Sequence, residues 1–306
     1  MLPPDAKPAW AAVVVNYHSG PVLAKSVDAL LRDDSGGPVE VVVVDNGSTA
    51  GEMDALIATR PTVTVLHPGA NLGYARAANL GIAATNAPIV AVINSDAIVA
   101  PGTAAVILAR FHADPRVAVL GPRITNPDGT VYPSARTAPG LGPAVGHAIL
   151  GGVAPRNRFT RAYRQLEADP TVGREVDWVS GAAMWFRRSA LDRVGGWDER
   201  FFLFMEDIDV CRTIRATGAT VWYEPAARVM HEVGTSRASA PTRSIVMHHR
   251  AAYRYTEKWS TGPRRWILPA AGAFLAGRAG VQIVAGVVDR LLRSQASRVS
   301  RLHQVT

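Results

Sequence analysis

Several short polar clusters in this 306-residue sequence carry the residue types needed to hold a diphosphate, bind a hard cation or take a proton from an alcohol. Asn94-Ser95-Asp96 closes the apolar run PIVAVINSD, residues 88–96. A carboxylate at the end of so apolar a segment is an oxygen ligand suited to Mg2+ or Mn2+, ions that keep several waters and take other ligands from substrate phosphates. Asn94 and Ser95 stand where they meet a sugar or the waters around such an ion. Glu206-Asp207-Ile208-Asp209 follows an aromatic stretch and opens a segment whose Ile208, Cys211 and Ile214 share a helical face. The helix dipole and a cap account for one acid at that position, Glu206 or Asp209, but not for three. A carboxylate in an aromatic-lined cleft is desolvated and placed to act as general base towards an alcohol. His231 closes the strand-like segment 226–230 and reads either as a structural histidine or as a second ligand for a cation at Asp96. A zinc-protease motif starting at His231-Glu232 fails, because Thr235 stands where the second histidine belongs.

Other apolar runs end in the same manner. Asn16, Tyr17 and His18 close the first, and Asp45-Asn46-Gly47-Ser48 the second. Asn71, Gly73, Tyr74 and Arg76 lie in a turn that leads into a helical pattern, where a helix N-terminus and a cation can face an anion. Turn chemistry explains any one of these clusters. Their recurrence on one edge of one sheet favours a binding site.

The elements that position these groups are legible from periodicity. Four short β-branched runs begin at residues 11, 39, 63 and 88, each continuous rather than alternating, as in parallel strands buried on both faces. Helical stretches at 22–33 and 75–86 separate them, which makes a βαβ series. In such a sheet ligands bind beyond the carboxyl ends of the strands. Asn126-Pro127-Asp128-Gly129 predicts a hairpin turn, residues 176–188 a strand pair with a bulge near Gly181, and residues 133–157, rich in Gly and Pro, a loop or lid.

The net charge of +8 is segregated: residues 241–306 carry +9 and residues 1–240 carry −1. The tail includes 23 residues, 266–288, whose only charge is Arg278. That length spans a bilayer, yet a central arginine costs roughly 2.5–3.5 kcal/mol there, and Pro269 with four glycines is expected to weaken a continuous helix. Flanking arginines and Trp259 and Trp266 suit helices lying on an anionic membrane surface. Residues 1–10 lack the charged start and long apolar centre of a signal peptide. The single cysteine, Cys211, fits a reducing compartment. The expected division is a catalytic domain over residues 8–240 and a membrane-associating region over 241–306, held peripherally at the cytoplasmic face of the cell membrane.

No lysine stands in a phosphate-loop context, and Gly140, Gly142 and Gly146 miss the dinucleotide fingerprint. A nucleotidyltransferase would carry a basic Gly-rich loop after the first strand, where this chain has Asn16-Tyr17-His18-Ser19-Gly20. A nucleic-acid module would use the basic tail, but the tail interleaves arginine with aliphatic residues rather than with stacking aromatics; nucleic acid is not an expected partner.

VVVNYHSG, VVVVDNGST, NLGYARAAN, NSDAIV, GGWDERFFLFMEDIDVCRTIRATG and HEVGTS, in this order, resemble glycosyltransferase family 2 over roughly residues 10–237. More narrowly, GPRITNPDGTVYPSARTAP and APRNRFTRAYRQ resemble rhamnosyltransferases acting on polyprenyl-diphosphate-linked N-acetylglucosamine in building the arabinogalactan linker of actinobacterial cell walls. The resemblance implies an α/β fold of the GT-A type, a mostly parallel sheet flanked by helices with a C-terminal helical appendage. It further implies inverting transfer from a nucleotide sugar, dTDP-rhamnose or alternatively another nucleotide sugar with a polysaccharide or lipid acceptor, assisted by Mg2+ or Mn2+. By position, Asn16, Tyr17 and Asp45 would bind the nucleoside, Asn46 would join the nucleotide-sugar site, and Asn71, Gly73, Tyr74 and Arg76 match the loop that follows. Asn94, Ser95 and Asp96 occupy the place of the metal-binding Asp-x-Asp motif. Asn replaces its first acid, so the metal contact falls on Asp96. Asp207, or alternatively Glu206, matches the base, and His231 the late histidine that meets metal or diphosphate.

Overall fold

The computed structural model describes residues 8–48, 51, 53–138, 157–232 and 241–302. Two compact units emerge, one of residues 1–202 and 206–236, the other of residues 203–205 and 237–306.

In chain order the larger unit runs β1 (Trp10–Asn16), α1 (Pro21–Arg32), β2 (Val39–Asp45), α2 (Asp54–Thr59), β3 (Thr64–Leu66), α3 (Tyr74–Ala83), β4 (Ile89–Asn94), β5 (Ala97–Val99) and α4 (Thr103–Ala113). It continues with β6 (Val117–Thr125), β7 (Val131–Tyr132), β8 (Ala135–Arg136), α5 (Arg158–Tyr163), β9 (Arg174–Val176), β10 (Trp178–Val179), β11 (Ala183–Arg187), α6 (Arg188–Val194), α7 (Glu206–Arg215) and β12 (Thr220–His231). Among the described residues the main sheet has the order β3-β2-β1-β4-β11-β6-β12-β5. Its long strands are parallel except β11, which runs antiparallel to both β4 and β6.

The continuous apolar runs are buried on both faces, as their composition demands. All seven residues of β1 and the first five of β4 are buried. Each fully buried valine there stabilises the fold by roughly 1.5–3 kcal/mol relative to exposure. Leu23, Val27 and Leu30 of α1 pack on one side, and α3 packs closely on the other. Gly81 makes that close approach possible, since a Cβ there would sit 2.3 Å from Val13 Cγ1. The α3 N-terminus, and with it Tyr74, is thereby held against the central strands.

The hairpin turn joins β6 to β7, and Gly129 takes a φ of 81° in it. The loop expected over 133–157 is corrected at its start: Ala135 and Arg136 form β8, which pairs antiparallel with β10 in a separate ribbon. Two-residue strands carry no readable period, so nothing local announced it. Residues 139–156 of that segment, with Gly140, Gly142 and Gly146, lie outside the described residues, as does the sequence from Val233 through Thr235.

The smaller unit contains α8 (Pro241–Trp259), a 3-10 turn (Gly262–Ile267) and α9 (Leu268–Leu302). The helix that Pro269 and its glycines were expected to weaken is continuous over 35 residues. Pro269 sits in the first turn, where its missing N–H leaves no hydrogen bond unmade. Gly272 lets α8 come close, a Cβ there lying 3.3 Å from Tyr253 Cε2. Arg278 turns towards α8 and donates to His249 Nε2 at 2.9 Å, while His249 Nδ1 meets the Ile245 carbonyl at 2.7 Å. Val281, Val284, Val287 and Val288 are exposed, and Trp266 is 88% exposed. Gly262–Val288 is long and apolar enough to cross a membrane by length and composition.

Candidate active site

Parallel register brings the polar ends of β1, β2 and β4 together. Asn16 pairs with Asp45, and Val15 with Asn94. The Asn16 amide donates to Ser48 Oγ at 2.9 Å and to Asp45 Oδ1 at 3.3 Å. Ser48 N also donates to that oxygen at 3.3 Å, and His67 Nδ1 lies 3.5 Å from Asp45 Oδ2. Asn16 Oδ1 is buried and has no hydrogen-bond partner among the described residues. An orphaned buried acceptor costs about 1–3 kcal/mol, which a ligand N–H would recover. Tyr17 lies beside it, its ring edge-on to His18 at 4.5 Å.

Asn46 ties this edge to the next loop. Its Nδ2 donates to Asn71 Oδ1 at 3.1 Å and to the Gly73 carbonyl at 3.3 Å, and its Oδ1 accepts from Leu72 N at 2.7 Å. Asn71 Oδ1 also receives Gly73 N at 2.9 Å. Gly73 has a φ of 83° and lies so close to Phe202 that a Cβ would meet its carbonyl oxygen at 2.6 Å. That contact sets Tyr74, whose N–H donates to the same carbonyl at 2.7 Å. Arg76 is directed elsewhere in this state, with Nε 3.7 Å from Glu199 Oε2 and both side chains half-exposed.

Antiparallel pairing of β12 with β5 places His231 opposite Ala97, next to Asp96. His231 Nε2 lies 2.9 Å from Asp96 Oδ1 and 3.3 Å from Asn94 Nδ2, and Glu232 N donates to the Asp96 carbonyl at 3.0 Å. Ser95 is buried, with its hydroxyl on that of Ser19. His231 Nδ1 is buried and has no hydrogen-bond partner among the described residues. These residues fit a hard cation as a partial site. The Asp96 carboxylate and the His231 imidazole, in contact at 2.9 Å, offer it one oxygen and one nitrogen donor. Among the described residues no group of three His, Cys, Asp or Glu side chains completes a metal cluster.

Asp207 reaches the same region from α7. Phe204 and Met205, just before that helix, have φ values of 73° and 68°, a left-handed conformation that costs non-glycine residues roughly 1–2 kcal/mol each. Gly181 N donates to Asp207 Oδ2 at 2.9 Å, and Ile208 N donates to Oδ1 at 2.8 Å. Burial pushes the Asp207 carboxyl above its ordinary value, while these two N–H groups and the charge of Arg136 pull it back in part. Tyr74 OH donates to the Gly181 carbonyl at 3.0 Å. Burial raises the Tyr74 phenol well above its usual range, and the charges of Glu206, Asp207 and Asp96 add to the effect. The charges of Asp96 and Asp207 thus both act on the Tyr74 phenol. Asn94 N completes the link by donating to the Ala182 carbonyl at 2.9 Å, next to Gly181.

Arg136 is a residue that sequence reasoning missed. Its Nε donates to the Pro133 carbonyl at 2.8 Å and its Nη2 to Tyr132 OH at 2.7 Å. The guanidinium stacks over Trp178 at 4.8 Å and lies 5.9 Å from the Tyr163 ring. Burial alone would depress its pKa, but Tyr132, Tyr163 and Asp207 together hold it above its ordinary value. Gly181 had a sequence signal as a bulge, but its role here is carried by a backbone N–H that no residue letter displays. Of the nominated residues, Asn16, Asp45, Asn46, Asn71, Gly73, Tyr74, Asn94, Ser95, Asp96, Asp207 and His231 are linked by these contacts. Glu206 is buried beside Asp207 at the helix start.

A family model described as glycosyltransferase like family 2 matches residues 8–254. The N-acetylglucosaminyl-diphospho-decaprenol L-rhamnosyltransferase of Mycobacterium tuberculosis is 38% identical over 271 residues, covering 84% of this chain and 88% of that protein. A rhamnosyltransferase of Escherichia coli, WbbL, is 32% identical over 80 residues, 26% of this chain and 30% of its own length. Among solved structures, a mannosyltransferase from Pyrobaculum calidifontis in complex with GDP-Man and Mn2+ superposes with a TM-score of 0.57 at 19% identity, over 96% of this chain and 81% of its own. GalNAc-T7 with UDP, GalNAc and Mn2+ gives 0.56 at 17% identity, over 73% of this chain and 43% of its own. At those identities the structural likeness establishes the fold, which is that of the GT-A glycosyltransferases.

Proposed function

This chain belongs to glycosyltransferase family 2, and from that premise we propose that it transfers L-rhamnose from dTDP-rhamnose to a hydroxyl of N-acetylglucosaminyl-diphospho-polyprenol, inverting the anomeric carbon. The observation that carries this reading is the chain of contacts from Asp207 through Gly181 to Tyr74 and, by the neighbouring Ala182 carbonyl, to Asn94 beside the Asp96–His231 pair. Sugar and acceptor follow the name of the mycobacterial relative.

In the proposed reaction Asp207 takes the proton of the acceptor hydroxyl as its oxygen attacks the anomeric carbon. A new C–O bond forms there as the bond to the donor phosphate breaks, and the leaving nucleotide diphosphate keeps the electron pair. Gly181 N and Ile208 N hold the carboxylate in place, and burial keeps it basic enough to accept the proton. Asn16 Oδ1 and Asp45 face the nucleoside, with the amide oxygen ready for a base bearing a ring N–H. Asp96 and His231 would hold Mg2+ or Mn2+, which supplies Lewis-acid neutralisation of the departing diphosphate.

The basic, apolar smaller unit would keep the enzyme peripherally at the cytoplasmic membrane face, where a lipid-linked acceptor lies. Its exposed valines and Trp266 supply the apolar face, and Arg264 and Arg265 the charge for anionic headgroups. Release of nucleotide diphosphate from dTDP-, UDP- and GDP-sugars, with membrane extract as acceptor, tests the chemistry. Release from dTDP-rhamnose alone is expected. Release only from another donor would overturn the sugar assignment, and release from none the transferase reading. Flotation with anionic vesicles, reversed by a carbonate wash, is expected for the smaller unit's role. Resistance to carbonate would indicate a span, and retention on DNA without vesicle affinity would overturn the membrane reading.

A further inference from the structure

A cavity of about 510 Å3 opens between the C-terminal end of α1 and strands β5, β6 and β12. Its lining includes the apolar Ile98 and Met230 and three arginines, Arg32, Arg123 and Arg228. Neither Asp nor Glu is among its lining residues. It shares no residue with the cluster around Tyr74. Arg32 ends the 12-residue helix α1, and on the strand side Met230 and Ile98 stand next to His231 and two positions after Asp96, so the cavity neighbours the Asp96–His231 pair without sharing a residue with it.

Two observations make this more than a patch of solvated charge. Arg123 and Arg228 are direct register partners on the parallel pair β6 and β12, so two like charges stand side by side on one sheet face. Opposed like charges destabilise a strand pair unless something neutralises them. Second, Arg123 Nε is buried and lacks a hydrogen-bond partner among the described residues. A buried donor in that state is a standing cost that an anionic acceptor removes. Nearby acids are already engaged. Asp28, on which the charge of Arg32 acts, takes a bidentate pair from Arg60. Asp169, on which Arg123 acts, takes its hydrogen bonds from Thr171. Glu224, close in sequence to Arg228, pairs with Arg110 at 3.1 Å.

Three guanidinium groups over an aliphatic floor match one chemistry, an anionic phosphate that carries an apolar chain. Arginine is suited to bidentate contact with phosphate oxygens, and Ile98 and Met230 would cover the first carbons of the chain. We propose that this cavity is a second ligand site, which binds the phosphate headgroup and proximal chain of an anionic lipid. The assignment is independent of the reaction at Asp207.

The test uses the full chain with two probes, dihexanoyl phosphatidic acid below its micelle concentration and inorganic phosphate. Titrations are made with the nucleotide site saturated by nucleotide diphosphate. The parent is expected to bind the lipid probe at least tenfold more tightly than phosphate, and Arg123→Gln/Arg228→Gln to lose at least tenfold of that affinity. Equal affinity of parent and double variant for the lipid would overturn the site. Equal affinity of the parent for the two probes would overturn its apolar half. Should the double variant fold poorly, Arg228→Gln, which alters an exposed side chain, keeps the proposal falsifiable. It should raise the thermal midpoint without ligand, because the charge repulsion is relieved, and reduce the stabilisation conferred by the lipid probe. A lowered midpoint with undiminished ligand stabilisation would refute the proposal.

Discussion

Replacing Gly181 by alanine asks whether the backbone N–H of one residue sets the reactivity of Asp207. A Cβ at this position would lie 3.2 Å from Asp207 Cβ and 3.3 Å from Oδ2. Gly181 is not in the left-handed region, so its backbone accepts alanine and the perturbation is confined to this contact. The carboxylate must retreat by a few tenths of an ångström, which weakens the 2.9 Å hydrogen bond from Gly181 N. A hydrogen bond to a charged group contributes about 1.5–3 kcal/mol, and each 1.4 kcal/mol of misplaced base is worth about tenfold in rate. We therefore expect kcat to fall by about 10- to 100-fold, with the donor KM unchanged. Overpacking costs about 1–3 kcal/mol, offset by about 0.4–1 kcal/mol from the reduced freedom of the unfolded chain, so the fold survives. The acid limb of the kcat/KM profile should move to higher pH, since burial then acts on the carboxyl with less opposition from hydrogen bonding. Steady-state kinetics across pH and a denaturant midpoint measure all three quantities. A kcat within twofold of the parent, with an unmoved acid limb, would refute the role given to this N–H.

Asp207→Asn should lower kcat by about 10²- to 10⁴-fold while donor binding persists, because the amide keeps the shape but cannot take the proton; near-normal turnover in the transfer assay would exclude Asp207 as the base. The raised carboxyl of Asp207 also has a stability signature. Between its unfolded and its higher folded pKa the native state binds more protons, so this group's contribution to stability falls as pH rises through that window. The denaturant midpoint of Asp207→Asn relative to the parent should accordingly increase with pH across the window, and a pH-independent difference would contradict a raised value. Asp96→Ala should weaken Mn2+-dependent binding of the nucleotide diphosphate by about tenfold or more, equivalent to about 1.4 kcal/mol; superimposable calorimetric titrations would remove Asp96 from the cation site. Gly73→Ala should destabilise the larger unit by about 3 kcal/mol or more, since φ is 83° and the new Cβ would overlap Phe202. An unchanged chemical denaturation curve would show that the loop relaxes freely.

The central sheet and one edge of the site were legible because their physics is local. A strand buried on both faces must be a short continuous run of β-branched residues, and β1, β2 and β4 are written that way. Polar residues ending such runs emerge on one edge whenever the strands are parallel, so Asn16, Asp45 and Asn94 could be grouped before any contact was known. The helical period of Ile208, Cys211 and Ile214 likewise placed Asp207 at a helix start.

Long-range pairing decided the rest. His231 and Asp96 are 135 residues apart, and only the β12–β5 register puts imidazole against carboxylate. The chain's letters name Arg136 without indicating that a two-residue ribbon would bury it among Tyr132, Tyr163 and Trp178, within reach of the charge on Asp207. The hold on Asp207 by Gly181 is a backbone hydrogen bond, and its existence depends on where β11 and α7 come to rest. Propensity arguments also made Pro269 a source of weakness in α9, whereas position within the first turn makes that proline harmless. Residue types and periods determine which groups exist and which face of an element they occupy. Distance between groups far apart in the chain, and hence basicity, charge coupling and ligand geometry, is settled by packing, because those energies depend on separation and burial in space.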